Sequence, residues 1–158
     1  MKAIMLLALF GLQLSSVIAQ ITPKNSVFLE AGGNGLFASL NYERQLTALP
    51  RLSLRVGAGF YGEKAAYLSL PVGLNYLIKL AKPNSFIDAG FGATWAQANS
   101  RLFGSEPNLS SNHFFSYVPS VGYRRYTDRH YLWRVSFTPV INQYGFVPWA
   151  GITLGKGF

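Results

Sequence analysis

The chain has 158 residues, 49% hydrophobic and 13% charged, with a formal net charge of +8 and no Cys. So small a charged fraction, against roughly 25% in ordinary soluble domains, argues against a plain soluble protein, and the missing Cys excludes a disulfide framework and a lipid-modified N-terminal Cys. Beyond the first segment no apolar run approaches the ~20 residues of a membrane-crossing helix, so strands are the remaining way to satisfy a backbone in lipid.

Met1–Ala19 reads as a secretory signal peptide: Lys2 gives a positive start, Ile4–Leu14 an apolar core, and Val17-Ile18-Ala19 a cleavage site before Gln20. Residues 20–158 then form one domain. Its first strand, near Asn25–Gly32, sets Val27, Leu29 and Ala31 against Ser26, Phe28 and Glu30, and Gly33-Asn34 turns it. The second, Gly35–Gln45, sets Leu36, Ala38, Leu40 and Tyr42 against Phe37, Ser39, Asn41 and Glu43. Arg51–Tyr61 alternates without exception, with Leu52, Leu54, Val56, Ala58 and Phe60 on one face and Arg55, Gly57 and Gly59 on the other.

The fourth strand alternates Leu68, Leu70, Val72, Leu74, Tyr76 and Ile78 with Ser69, Pro71, Gly73, Asn75 and Leu77. A fifth, Ser85–Ala96, sets Ile87, Ala89, Phe91, Ala93 and Trp95 against Asp88, Gly90, Gly92 and Thr94. Gln97–Ser111 is the one long connection, rich in Ser, Asn and Gly, and is expected to be exposed and to make functional contacts. Then come Asn112–Tyr126, Tyr131–Ile141 and Phe146–Phe158, the last with Ala150, Ile152 and Leu154 facing away from Trp149, Gly151, Thr153 and Gly155. Pro71, Pro119, Pro139 and Pro148 fall inside strands, and local bulges are expected at some of them.

Eight alternating strands and no helix imply an all-β, eight-stranded antiparallel up-and-down transmembrane β-barrel. Glycines crowd the polar parity of the strands, and small residues belong inside a barrel whose interior barely accommodates side chains. The apolar face therefore meets lipid. The alternative, an exported soluble barrel binding a lipophilic ligand inside, needs those large apolar groups to fit the lumen.

NSVFLEAGGNG, LNYERQL, LPVGLNYLIK, YLWRVSFTPVI and WAGITLGKGF resemble the small eight-stranded outer-membrane barrels of Gram-negative bacteria, and in wording those of the Bacteroidota type. The resemblance covers nearly all of residues 20–158. It implies an outer-membrane location, and it makes Ala150, Ile152, Leu154 and Phe158 an assembly signal for the barrel assembly machinery. Lys156 departs from the hydrophobic residue usual at its position.

With the N-terminus periplasmic, Lys24, Arg44, Arg51, Lys79, Lys82, Arg125, Arg129 and Lys156 form a periplasmic rim offset only by Asp128, suited to membrane lipids with anionic headgroups. Glu30, Glu43, Arg55, Asp88, Arg124 and Arg134 fall on the inward parity as a lumen ion-pair network, with Glu43 opposite Arg55 and Asp88 near Arg124. Phe28, Phe37, Tyr61, Phe114 and Trp149 are expected to block the extracellular half of the lumen above those ion pairs.

No cofactor or metal site is legible, because His113 and His130 fall at opposite ends. No basic, aromatic-interleaved patch suits nucleic acid. The sequence thus favours a plugged barrel with a structural or surface-interaction role toward an unidentified extracellular partner. The enzymatic alternative is a lipid-modifying hydrolase or acyltransferase at the rim, built on His113 with Ser110, Ser111 and Glu106, for which no spaced nucleophile motif exists.

Overall fold

The computed structural model describes residues 23–47, 51–61, 67–97 and 113–158. The expected signal segment and most of the long connection lie outside these residues. The strands are β1 (Asn25–Gly32), β2 (Ala38–Gln45), β3 (Leu52–Tyr61), β4 (Tyr67–Lys79), β5 (Ser85–Gln97), β6 (His113–Tyr126), β7 (Tyr131–Phe137), β8 (Val140–Asn142), β9 (Gly145–Val147) and β10 (Ala150–Gly157). All neighbours are antiparallel, β1 pairs with β10, and the β5–β6 pairing closes the ring. β7 with β8, and β9 with β10, are the two pieces of the seventh and eighth strands, so the closed barrel has eight.

Its burial is inside out. Leu29, Leu40, Val56, Phe91, Ile152 and Leu154 are exposed, whereas Glu30, Glu43, Arg55, Asp88, Arg124 and Arg134 are each 2% exposed or less. Both follow from alternation: β-branched, aliphatic and aromatic residues suit a pleated strand, and period two sends every second one outward. The inward glycines make room for neighbours. A Cβ on Gly90 would press on Asn75 and Ser120, and one on Gly155 on Phe28.

Prolines interrupt strands without shifting them, so the expected bulges do not form. Tyr117 pairs with Ile141 and Val121 with Phe137 in one continuous register, which sets Pro119 opposite Pro139. Ala150 pairs with Phe137 and Val147 with Val140, which sets Pro139 opposite Pro148. Thr138 N–H donates to the Trp149 carbonyl at 2.8 Å, so alternation along the ladder turns the backbone of Pro139 toward Pro119. Two residues there would normally exchange two N–H···O bonds, and neither proline has an N–H. Pro71 sits within an unbroken β4 opposite Thr94.

The first hairpin departs from the expected parity. A 3-10 turn, Gly33–Gly35, is reached through positive φ at Gly32 and Gly33, and Leu36 follows at φ 74. Glycine adopts such angles without steric cost, and Leu does not. The twist at Leu36 turns its own side chain inward, 7% exposed, and leaves Phe37 outward at 40%. Phe37 therefore does not line the lumen; its ring meets Trp149 edge-on, with centroids 6.0 Å apart.

Candidate functional site: a filled lumen and a zoned outer wall

The lower end of the lumen carries the connections after β2, β4 and β6. Phe28, Leu77, Phe86, Tyr126 and Leu132 form an apolar cluster there. Phe28 thus lies at the opposite end from the expected one, because it stands near the start of β1. At the upper end Leu36, Tyr61, Ala96, Phe114, Val118 and Val140 form a second cluster, with Trp149 packed against it. Apolar groups close both ends with charges between, in place of an aromatic half above an ionic half.

The charges form one alternating chain. Arg55 Nη1 reaches Glu30 Oε1 at 3.2 Å, Glu30 also binds Arg134, and Arg134 Nη1 lies 3.3 Å from Asp88 Oδ2. Asp88 then meets Arg124 Nη2 at 2.5 Å, and Arg124 holds both oxygens of Glu43, at 2.5 and 2.9 Å. Glu43 and Arg55 are direct register partners, yet each is bonded elsewhere, since the short Glu43 carboxylate meets the longer Arg124 arm across the lumen. Asn75 and Thr153 add hydrogen bonds to Glu43 and Glu30. Glu30 Oε2, Asp88 Oδ1, Arg55 Nε and Arg124 Nε have no protein partner, as suits atoms that bind ordered water.

Above this chain the 3-10 turn folds into the lumen. Asn34 is wholly buried; its amide donates to the Val72 carbonyl at 3.3 Å, and Thr94 Oγ1 lies 2.5 Å from its carbonyl and 3.0 Å from its Oδ1. Ser69 donates to the Gly35 carbonyl at 2.9 Å, and Trp149 Nε1 to that of Leu36 at 3.1 Å. A Cβ on Gly92 would collide with the Asn34 side chain. The turn is therefore an inward latch across to β4 and β5. Its sequence signal was the Gly-Gly-Asn-Gly cluster together with the inward register pair Gly73 and Gly92.

The outer wall is zoned. Tyr42, Tyr76, Tyr123, Tyr131 and Trp133 face outward near the lower end; Phe60, Trp95, Phe115 and Phe146 do so near the upper end, with mostly aliphatic side chains between, Phe91 and Phe137 among them. Aromatic girdles around an apolar band are what two membrane interfaces require. Below the lower girdle Lys24, Arg44, Arg51, Lys79, Lys82, Arg125 and Arg129 are all exposed, with Asp128 among them, and Lys156 is exposed within the girdle opposite Tyr131.

No protein-family model matches the chain, and no curated protein matches its sequence. Among solved structures, the N-terminal β-barrel domain of Pseudomonas aeruginosa OprF matches with a TM-score of 0.60 at 10% identity, covering 85% of this chain and 95% of that one. This is the fold of an eight-stranded outer-membrane β-barrel. Yersinia pestis outer membrane protein Ail, in a phospholipid bilayer nanodisc, is similar at a TM-score of 0.52 and 9% identity, covering 86% and 99% of the two chains. At such identities the likeness is one of fold.

On this outer-membrane-type barrel His113 is exposed at the start of β6, its ring 5.9 Å from that of Trp95. Both lie on the outward parity, so His113 belongs to the upper girdle. Ser110, Ser111 and Glu106 lie outside the described residues. His130 sits in the connection after β6, at the lower end, with φ 61. Ala150, Ile152, Leu154 and Phe158 project outward from the last strand.

Proposed function

We propose that the chain is an integral outer-membrane barrel with a plugged lumen, with a structural or surface-interaction role carried by its extracellular loops. The observation that supports this most is the inverted burial: six ionised side chains fill the interior while apolar side chains cover the wall between two aromatic girdles. In water such a wall would expose an apolar surface far beyond the few hundred Å² that monomeric proteins tolerate. In lipid it is the required surface.

On this reading the lower rim faces the periplasm and its cations pair with anionic phospholipid headgroups, each contact contributing about 1 kcal/mol. Ala150, Ile152, Leu154 and Phe158 serve as the signal to the assembly machinery, and the 97–111 connection presents the surface toward a partner outside the cell. The test is fractionation of cells making the protein. It is expected in the outer-membrane fraction, soluble only with detergent, and to migrate differently on a denaturing gel before and after boiling. A detergent-free monomer in the soluble fraction would overturn the reading.

A further inference from the structure

The outer wall is not uniform around the barrel. Across β2, β1, β10 and β7, at the lower girdle, lies an apolar groove of about 740 Å³ walled by Val27, Leu29, Leu40, Trp133 and Leu154. Phe28, Leu132 and Gly155, all on the inward parity, lie along its floor. At its foot stands Lys156, the residue that departs from the usual hydrophobic pattern of the last strand. Its ammonium lies 5.6 Å from the centre of the Tyr131 ring. Register places Lys156 between Val27 and Tyr131, inside the girdle.

We infer that this groove is a binding site for one anionic phospholipid, with an acyl chain along the apolar walls and the phosphate on Lys156. The inference rests on the membrane reading above and adds to it a defined position and a selectivity. A groove alone would accept any acyl chain. A cation held against an aromatic face at the depth where acyl chain gives way to headgroup adds attraction for negative charge, and no acidic side chain borders the groove to cancel it. An ammonium there is costly against hydrocarbon and favourable against phosphate, so it selects the lipid as well as holding it.

Trp133 lines the groove and reports on it. The protein carrying Trp95→Phe and Trp149→Phe, folded into phosphatidylcholine vesicles with a minor share of phosphatidylglycerol, is compared with bromine placed on the acyl chains of one lipid or the other. Brominated phosphatidylglycerol is expected to quench Trp133 as if enriched roughly fivefold over its bulk share, the ratio that one such contact supplies. Lys156→Gln should remove the enrichment and Lys156→Arg keep it, with quenching by brominated phosphatidylcholine persisting throughout.

Quenching in proportion to bulk composition, unchanged by Lys156→Gln, would overturn the site and leave the membrane reading intact. A Trp133 shielded from both lipids in a cross-linkable dimer would assign the groove to a second copy of the chain. A Trp133 unquenched by either lipid in a monomer would overturn the membrane reading as well.

Discussion

Arg124 and Glu43 stand 81 residues apart in sequence and meet across the lumen in a two-pronged pair, with Nη1–Oε1 at 2.5 Å and Nη2–Oε2 at 2.9 Å. Arg124 also holds Asp88, whereas Arg55 reaches the chain of charges only through Glu30, which Arg134 holds as well. Arg124→Ala therefore leaves Glu43 with no cation and Asp88 with only its longer Arg134 contact, and should cost about 3–5 kcal/mol, more than Arg55→Ala. Urea unfolding of the lipid-inserted barrel measures both. A double-mutant cycle on Glu43 and Arg124 should show a larger coupling than one on Glu43 and Arg55, despite the direct register of the latter pair.

The Asn34 latch makes a second measurable claim. Asn34→Ala removes a buried amide and leaves the Val72 carbonyl without its side-chain donor, while Thr94 keeps the backbone carbonyl of residue 34, at an expected cost of about 1–3 kcal/mol. Thr94→Val should cost less when Asn34 is already Ala. Gly92→Val should displace the turn by overlap with Asn34 and destabilise the barrel even with every hydrogen-bonding residue retained.

Purified protein in a planar bilayer is expected to show no steady porin-like current. Eight strands leave room for side chains and little else, and here two apolar clusters cap a fully ion-paired middle. Stable channels at low voltage would show that the caps open and would move small-solute passage ahead of surface interaction.

The facing prolines predict where the wall opens most easily. With both donors missing at Pro119 and Pro139, the amides that face this seam on either side of the gap, those of Tyr117, Val121, Phe137 and Ile141, should exchange hydrogen faster than those facing the β1–β2 seam, where the ladder is unbroken. Equal protection around the whole barrel would mean that packing alone holds this seam shut.

How much of this was legible beforehand differs by residue. Leu54 against Arg55, or Leu74 against Asn75, could be assigned to wall and lumen directly, because alternation is a property of two adjacent residues and one face of each strand is uniformly apolar. The parity failed at Leu36 and Phe37, where a positive φ reversed the side chains and no pattern of residue types signals such a reversal. The prolines were visible, but that Pro119, Pro139 and Pro148 align on one row depends on two connection lengths acting together.

The sequence by itself determined the strands, their two faces and the segregation of cations to one end, since each is written in local period and in distance from a turn. Only the tertiary structure decided that Glu43 binds Arg124 in place of Arg55, that Asn34 reaches into the lumen, and that Lys156 borders a groove. Those depend on which strands closure of the sheet brings face to face across a narrow interior. Alternation along one strand carries no information about the strand opposite.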